Sequence, residues 1–475
     1  MRPSPAVSRR RFLGQASCAA VGSLPVLNTL LNLFLTEGIA CAGVPASGEY
    51  RALVCLFLAG GNDSFNMLVP REPSAYAEYL AARSDLGLLE DDLIPINPIG
   101  LPGYSVHGSM PEVAALFEAG NASFVANVGT LIEPVQNRTQ VAQSLKRLPL
   151  GLYSHSDQIE QWQTSIPHSR SGIGWGGRMA DLLRDLNTSQ VVPMQVSLDG
   201  SNTWQTGESV VEYSITPTGA VGLQGYNPAW VQYQEVQNAM SAAVDSQLAL
   251  QYTNLLQQTF STRNRQALDA YQAFAAATAD PTPPGVTFPN TSPGQRLAMV
   301  IRAIQGRAAL GMTRQTFFIQ WGGWDHHDEV LVNQNAMLAQ VSAAIGAFHA
   351  ALVALGLQNQ VALFTASDFG RTLTSNGRGS DHAWGGNQLV VGGGLQGRRI
   401  FGQYPSLAVN PDSGPELNPL DTGRGRFIPT TSCDTFFAEL ALWMGVAKSQ
   451  LPLILPNIGN FYSTSSSDPP LGLLV

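Results

Sequence analysis

The sequence predicts an α/β fold with a mainly parallel central sheet and helices on both faces. Strand-like apolar runs alternate with helix-like segments along most of the 475-residue chain, and this alternation is typical of a parallel sheet. Residues 52–59 (ALVCLFLA) form an uninterrupted apolar run that ends at two glycines, which is the pattern of a strand buried on both faces. Similar runs at 123–128, 315–320 and 360–366 predict further core strands.

A single domain is expected over residues 48–475, because no long linker divides this part of the chain. Residues 231–278 contain neither proline nor glycine, and a proline-rich stretch follows at 281–293. Helix formers followed by a rigid loop predict a helical insertion over about 200–293. Such an insertion could cover a functional site as a cap.

The N-terminus resembles a twin-arginine export signal. Residues 8–13 read SRRRFL, an apolar run without charge extends to residue 36, and Ala-Cys-Ala follows at 40–42. This order of regions predicts a cleaved signal peptide over residues 1–42 and a periplasmic or secreted protein. The translocase would be a partner during export. Residues 12–36 are long enough for a membrane anchor, but a proline and two asparagines dilute the run, so no stable anchor is expected after cleavage.

The composition excludes some classes of partner. The net charge is −8, and 13% of the residues are charged, about half of the usual ~25%. An acidic chain of this kind is not expected to bind nucleic acid. Cys55 and Cys433 are the cysteines that follow the predicted signal; an oxidising compartment would allow them to pair, and no cysteine-based zinc motif is present.

Ionisable residues cluster where the predicted strands end. Because the carboxyl ends of parallel strands share one edge of a sheet, these groups predict a common polar site. Oxygen and nitrogen donors without thiolate suit one or two divalent ions such as Zn, Mn, Mg or Ca. The groups are Asp63, His155, Asp325, His326, His327, Asp368, Asp381 and His382.

A helix-start signal lies at Tyr153-Ser154-His155-Ser156-Asp157. The serines there are typical helix caps, and the same geometry suits an activated nucleophile or a bound anion. Ser154 and Ser156 are therefore candidate nucleophiles, with His155 as a candidate catalytic group. Adjacency alone does not make His155 their base.

Six motifs resemble a bacterial family called domain of unknown function 1501, a twin-arginine-exported group within the alkaline-phosphatase-like and sulfatase-like superfamily. The resemblance implies an alkaline-phosphatase-like α/β domain over the mature chain. The motifs are LAGGNDSFNMLVP at 58–70, SHSDQIEQW at 154–162, GWDHHDE at 323–329, SDFGRT at 367–372, SDHAWGG at 380–386 and FIPTTSCD at 427–434.

The resemblance also implies a site. The superfamily order of strand-end ligands falls on Asp63, Asp325, His327, Asp368 and His382, which are the expected metal ligands. The nucleophile of the superfamily corresponds to the segment 154–157. Arg371, four residues after the SDFG start, is a candidate clamp for an anionic group.

Two departures from the superfamily pattern keep the function open. Phe369 stands where the superfamily has a histidine, so a second metal site loses a ligand, for which His155 and Asp381 are the candidate replacements. The sulfatase C-x-P-x-R signature is also absent. One reading is an exported metal-dependent hydrolase of a small anionic substrate, a phosphate or sulfate ester. The alternative is a non-catalytic periplasmic binding or structural protein with a vestigial or structural metal site.

Overall fold

The computed structural model describes residues 49–223, 226 and 233–474. The predicted export signal and its cleavage site lie outside these residues. In the described part of the chain the expected fold is confirmed: a mixed, mostly parallel central sheet is surrounded by helices.

The central sheet has ten strands in the order β12-β5-β11-β10-β1-β9-β6-β7-β8, and β13 also pairs with β5. A second sheet has the order β2-β4-β3. The strands are β1 (Arg51–Leu58), β2 (Leu68–Pro70), β3 (Leu93–Ile96), β4 (Tyr104–His107), β5 (Ala122–Gly129), β6 (Gln195–Ser197), β7 (Tyr213–Thr216), β8 (Gly219–Ala220), β9 (Arg314–Trp321), β10 (Val361–Ser367), β11 (Gly386–Gly392), β12 (Ile400–Phe401) and β13 (Thr431–Ser432).

Helices cover the sheet, and short 3-10 turns lie at residues 84–86, 90–92, 184–186, 448–450 and 458–460. The α-helices are α1 (Ser64–Met67), α2 (Pro73–Arg83), α3 (Pro111–Glu118), α4 (Arg138–Ala142), α5 (His155–Thr164), α6 (Trp175–Leu183), α7 (Gln234–Ala249), α8 (Leu255–Ala277), α9 (Ser292–Gln305), α10 (Val330–Ala354), α11 (Cys433–Met444) and α12 (Leu451–Ile454).

Strand β1 is the centre of the main sheet. Its apolar run is almost entirely buried, and it pairs in parallel with β9 on one side and β10 on the other. Leu58, its last residue, is in register with Trp321 of β9 and Ser367 of β10. The carboxyl ends of three core strands therefore meet at one edge, and the antiparallel strand β11 brings its amino end to the same edge.

The predicted insertion contains a helical hairpin, α7 and α8, at the end of the sheet that carries β7 and β8. Phe274 of α8 is buried and packs on Tyr213 of β7 with ring centroids 5.5 Å apart. The hydrogen bonds and ion pairs recorded for the hairpin stay within it and its neighbours, for example Arg265 to Asp245 at 2.6 Å. Among the described residues, none of those recorded reaches the strand-end groups, and a covering role for the insertion stays a prediction.

Helix α10 is apolar and long enough to cross a membrane by length and composition alone. Half of its most apolar window is buried in the domain. Its Ser342 hydroxyl donates to Glu112 of α3 at 2.7 Å and accepts from the Val113 amide at 3.2 Å. These contacts are those of a core helix, as the helical spacing of its apolar residues predicts.

The C-terminal tail is held in place, although its composition suggests a frayed end. The buried carboxylate of Glu439 accepts hydrogen bonds from the backbone amides of Leu471, Gly472 and Leu474 at 3.0, 3.3 and 3.0 Å. One charged side chain thus satisfies three amides of an otherwise irregular segment, which fixes the tail against α11.

Asp434, in the first turn of α11, is a buried carboxyl whose ionisation should make the stability of the protein depend on pH. It is 1% exposed, and burial raises the pKa of its carboxyl to about 7, against the opposing effects of Ser165, backbone amide and Arg178. An unfolded aspartate titrates at about 3.9. Between about pH 4 and pH 7 the unfolded chain gives up this proton while the folded chain keeps it, so the free energy of unfolding falls as the pH rises through this range. Asp434→Asn has no such proton, so this fall in stability is absent from the variant.

We therefore expect Asp434→Asn to have a higher Tm than the wild type at pH 7–8, with the difference disappearing toward pH 4. Thermal unfolding across this pH range measures it. Asp412→Asn, at an exposed loop position, is the control and should show no such trend. A pH-independent difference for Asp434→Asn would contradict the prediction.

Candidate metal centre

The candidate site lies at the carboxyl edge of β1, β9 and β10, where the strand ends come into direct contact. Gly60 has a φ of +123°, and a Cβ there would lie 2.4 Å from the amide nitrogen of Asp325. The Gly60 amide donates to Asp368 Oδ1 at 3.0 Å. A glycine is required here because only it permits this turn and this close approach of two backbones.

Three histidines are oriented in the same way by their Nδ1 atoms. Each Nδ1 contacts a carboxylate or carbonyl oxygen, and because these oxygens only accept, each Nδ1 must be the donor. Each Nε2 is then left with its lone pair. The contacts are His155 to Asp368 at 2.6 Å, His327 to Asp381 at 3.1 Å and His382 to the Tyr153 carbonyl at 2.8 Å.

The three Nε2 atoms converge beside one carboxylate. His382 Nε2 lies 3.1 Å from His155 Nε2 and 2.8 Å from His327 Nε2. Asp325 Oδ1 is 3.0 Å from His327 Nε2 and 3.3 Å from His382 Nε2, and its Oδ2 is 3.4 Å from His155 Nε2. Lone pairs at these separations repel one another unless a proton or a metal cation lies among them.

The donor set fits a divalent metal. The ligand atoms of His155, Asp325 and His382 all lie within 4.8 Å of one another. His327 Nε2 joins this group because it lies 3.0 Å from Asp325 Oδ1 and 2.8 Å from His382 Nε2. Imidazole and carboxylate without thiolate is a common set for Zn²⁺. The four side chains are between 25% and 44% exposed, so the site is open to solvent, whereas structural zinc sites are closed.

The pKa values of two histidines diverge. The hydrogen bond to Asp368 raises the pKa of His155 above its usual range, against the effect of partial burial. Partial burial lowers the pKa of His382, and the nearby charges of His155 and Arg371 lower it further. The hydrogen bond to the Tyr153 carbonyl acts in the opposite direction but does not cancel these effects. His382 therefore favours the neutral ring that a metal ligand needs.

Asp368 orients a ligand rather than facing the group itself. It is fully buried, with Oδ1 accepting from Gly60 and Oδ2 from His155. Phe369, the departure from the superfamily pattern, packs its ring 4.8 Å from the His155 ring and 4.6 Å from the His382 ring. Both oxygens of Asp368 thus accept hydrogen bonds. Asp368, which was expected to bind the metal directly, instead holds the ring of His155 in place.

Arg371 is a brace for Asp325 and is not free to clamp an anion. Its side chain is fully buried, and Nη1 donates to Asp325 Oδ1 at 2.7 Å. Nη2 and Nε are taken up by the Ser380 carbonyl and hydroxyl, at 2.5 and 3.3 Å. Burial acts against ionisation of Asp325, but Arg371, with His327 and His155, outweighs it and lowers the pKa of this carboxyl.

Asp381 supports His327 by accepting a hydrogen bond from its Nδ1. Its second oxygen accepts from Arg424 Nη1 at 2.5 Å. Burial opposes its ionisation, yet hydrogen bonds from Asn376 and Arg424 lower the pKa of Asp381 to about 2. Asp328 instead pairs with Arg378 on the surface.

Asp63 lies at the expected strand end but is not brought into the group. Its carboxylate forms an ion pair with Arg83 of α2, and both side chains are fully buried. Its carbonyl accepts from Gln334 of α10 at 2.6 Å. A buried ion pair is costly to break because it leaves an uncompensated charge, so Asp63 is a structural anion here.

The serine hydroxyls are engaged away from the histidines. Ser154, at the start of α5, donates to Asp157 Oδ2 at 2.7 Å and lies 3.2 Å from the Ser156 hydroxyl. The hydrogen bonds recorded for these two serines do not include a histidine of the group. The segment instead contributes His155, which the sequence marked as catalytic and which the structure places among the converging Nε2 atoms.

His326 faces away from the group. It is 5% exposed, and its ring lies 6.0 Å from that of Trp324 in the interior. Adjacent side chains of an extended segment point to opposite sides, which is why His327 converges and His326 does not.

Sequence reasoning gave too little weight to the loop 421–427, which carries Arg424 and Arg426. Gly423, Arg424 and Gly425 all have positive φ, and Asp421 Oδ1 accepts from the amides of both glycines at 2.8 and 2.9 Å. Arg426 Nε donates to the His382 carbonyl at 3.0 Å, and its guanidinium lies over the Tyr153 ring at 5.3 Å. The signal was the G-R-G-R run at residues 423–426.

The fold and site together define an α/β protein with a histidine-rich group at the carboxyl edge of its sheet that could hold a metal ion. Residues 50–421 match the family described as "Protein of unknown function (DUF1501)", and the chain belongs to this family. No curated protein matches the sequence.

Several solved structures are distantly similar. Ps i-CgsB in complex with k-i-k-neocarrahexaose is 12% identical, with 87% of this chain and 77% of that chain covered and a TM-score of 0.33. The PsFucS1 sulfatase from Pseudoalteromonas sp. is 11% identical (76% and 66% covered, TM-score 0.30). Thermus thermophilus alkaline phosphatase is 12% identical (69% and 61% covered, TM-score 0.24). At this distance no residue-by-residue correspondence can be drawn.

The adjacent pair His326 and His327 provides a matched test of the metal centre. We expect His327→Ala and His382→Ala to lose bound metal, because each removes a converging Nε2, while His326→Ala keeps it. Asp381→Asn should weaken affinity by roughly 10–100-fold, as loss of a ligand's hydrogen-bond partner does. Elemental analysis of protein purified without chelator, with competition titration, measures both.

Equal loss of metal in His326→Ala and His327→Ala would contradict the assignment. So would a wild-type protein that takes up no metal, since a shared proton would then be the cation among the three rings.

Proposed function

We propose that the protein is an exported, metal-dependent hydrolase of a small anionic ester of the phosphate or sulfate type. The convergence of three Nε2 atoms on Asp325 at a solvent-reachable strand edge carries this proposal. Such a group would hold a cation that solvent can reach, and coordination that expands from four to five would admit a water or a substrate oxygen.

One divalent ion would be held by His155, His327, His382 and Asp325. Three imidazoles and a carboxylate favour zinc over magnesium or calcium, which prefer all-oxygen sites. A metal bound there supplies Lewis acidity for the ester oxygen and lowers the pKa of a bound water.

The groups around the three histidines would hold them in position for the ion. Asp368, Asp381 and the Tyr153 carbonyl each accept a hydrogen bond from one Nδ1, which fixes the tautomer of that histidine. Since the hydroxyls of Ser154 and Ser156 bond to Asp157 and to each other, water is a better candidate for the attacking group than either serine. The ester and water would then give the acid and the free alcohol.

An anionic substrate is supported by Arg426 rather than by the buried Arg371. In the described part of the chain the Arg426 guanidinium has no recorded carboxylate partner, whereas Arg424 pairs with Asp381. Only Nε of Arg426 has a recorded hydrogen bond, so both Nη atoms remain to contact an anion beside His382. The stack on Tyr153 holds this charge in place.

A second candidate is a metal-dependent binding or structural protein on the same fold. The serines' engagement away from the histidines favours it, because neither Ser154 nor Ser156 has a recorded hydrogen bond to the group. Metal binding without turnover of any ester would identify this case.

The zinc-loaded protein should hydrolyse a phosphate monoester or a sulfate ester, lose the activity to a chelator and regain it when zinc is restored. Arg426→Gln should lower kcat/KM by roughly 10–100-fold, which is the loss of about 1.5–3 kcal/mol expected for a hydrogen bond to a charged group. Steady-state kinetics on matched anionic and neutral esters measures the effect, which should be confined to the anionic ester.

Arg378→Gln is the matched control, since Arg378 is 78% exposed and pairs with Asp328 on the surface. It should leave kcat/KM unchanged. Activity that survives removal of the metal, or an Arg426→Gln enzyme with wild-type kinetics, would refute this mechanism.

Export through the twin-arginine route is part of the proposal and rests on the SRRRFL motif at residues 8–13. Arg9→Lys together with Arg10→Lys should leave an uncleaved precursor in the cytoplasm, because the arginine pair is the recognised element. Cell fractionation and N-terminal sequencing, which should find a mature start near Gly43, provide the measurement. Normal periplasmic recovery of the double variant would remove the claim.

A further inference from the structure

A polar cleft of about 490 Å³ lies along one side of α5. Three residues of the helix line it at intervals of four and three, which places them on one face of the helix. They are Ser156, Glu160 and Gln163. Arg170 and Gly172, in the loop after the helix, form one wall of the cleft, and Thr203 forms part of the other.

The cleft lies at the same edge of the sheet as the candidate metal centre. His155 is the first residue of α5 and Ser156 is the second, so their Cα atoms are about 3.8 Å apart. Thr203 lies in the loop that follows β6, and β6 pairs in parallel with β9. Asp199 of this loop accepts a hydrogen bond from the Gln320 amide of β9 at 2.9 Å. The loop is thereby held beside the strand whose end leads into the metal centre.

Both walls of the cleft are fixed to the helix by hydrogen bonds. Glu160 Oε1 accepts from the Ser171 amide at 2.7 Å, and Gln163 Oε1 accepts from the Trp204 amide at 3.0 Å. Each of these two helix residues binds a wall through one atom and keeps its other polar atom for the cleft. The cleft is therefore formed before a ligand arrives, which lowers the entropy cost of binding.

The lining side chains offer both donors and acceptors. In the part of the chain that the structure describes, no hydrogen bond is recorded for Glu160 Oε2, Gln163 Nε2 or the Thr203 hydroxyl. Arg170 Nη2 donates to Asp157 at 3.0 Å, which leaves its other nitrogens without a recorded partner among those residues. Because Arg170 and Glu160 carry opposite charges, the lining does not favour an ion of either sign.

We propose that this cleft binds the alcohol part of the ester, and that this part is an uncharged polyhydroxylated group such as a sugar. The proposal rests on the hydrolase function proposed above. A hydroxyl both donates and accepts, so a polyol can pair with the carboxylate, amide and hydroxyl of the cleft together. An aliphatic alcohol would leave these groups unpaired, at a cost in free energy. The volume of about 490 Å³ lies within the roughly 300–1,000 Å³ of small-molecule sites.

Matched esters test the proposal. The 6-phosphates and 6-sulfates of glucose, galactose and mannose are compared with hexyl phosphate and hexyl sulfate, which have the same number of carbon atoms but no free hydroxyls. The zinc-loaded wild type should have a higher kcat/KM for at least one hexose ester than for the hexyl ester of the same acid. Equal values for the hexose and hexyl esters would overturn the proposal and leave the hydrolase function intact.

Two variants connect this preference with the cleft. Gly172→Phe should abolish it, because a Cβ at Gly172 meets no atom within 4 Å and the phenyl ring can occupy the cleft without displacing the backbone. Thr203→Val, which replaces a hydroxyl by a methyl group, should reduce the preference by roughly 2–10-fold, the effect of one neutral hydrogen bond.

Each variant has a matched control that should keep the preference. Gly459→Phe is the first, since a Cβ at Gly459 also meets no atom within 4 Å. Thr253→Val is the second, because Thr253 is exposed between α7 and α8. A preference that Gly172→Phe leaves intact would contradict the assignment to this cleft.

If no ester is hydrolysed, the proposed function fails, and binding then tests the cleft by itself. Titration calorimetry with the same hexose 6-phosphates should show binding by the wild type and by Gly459→Phe that Gly172→Phe weakens. Binding of this kind would support the cleft and refute only the hydrolase. Absence of binding, or binding that Gly172→Phe leaves unchanged, would overturn the cleft as well.

Discussion

The mutual repulsion of three imidazole lone pairs is the constraint around which the rest of the site is built. His155, His327 and His382 each commit Nδ1 to an oxygen, and their Nε2 atoms are left to face one another at 2.8 and 3.1 Å. This arrangement is stable only with positive charge at its centre. Arg371 holds Asp325 against the same centre, where the carboxylate adds the negative charge that a divalent ion requires.

The topology of the sheet makes this convergence possible. Parallel pairing of β1 with β9 and β10 puts three strand ends at one edge, and reversal of β11 returns the chain there with His382 just before the strand. The helix α5 begins at the same edge and contributes His155. Three chain segments far apart in sequence thus deliver the four side chains, with Asp325 and His327 both from the segment after β9, and the rigid strands limit how far any of them can drift.

The sequence alone predicted the sheet, its central strand and the edge on which polar groups gather, because these follow from local patterns of apolar residues and glycines. The opposite orientations of His326 and His327 also follow from a local rule, the alternation of side chains along an extended chain. The partners of Asp63, Asp368 and Arg371 were beyond it. Whether a strand-end carboxylate is free to bind a metal depends on which side chains from distant parts of the sequence contact it. Asp63 pairs with Arg83, and no local sequence pattern indicates such a long-range contact.

In the proposed function, the contacts of the two buried carboxylates favour one ion over two. The two oxygens of Asp368 bond to Gly60 and His155. Asp63 is neutralised by Arg83, so neither buried carboxylate retains a free charge for a second cation. A second ion would have to displace a buried guanidinium or break the hydrogen bond that orients His155, and both changes would disturb the first ion. The buried phenyl ring of Phe369, packed on the rings of His155 and His382, is a hydrophobic support that limits how far these two histidines can move.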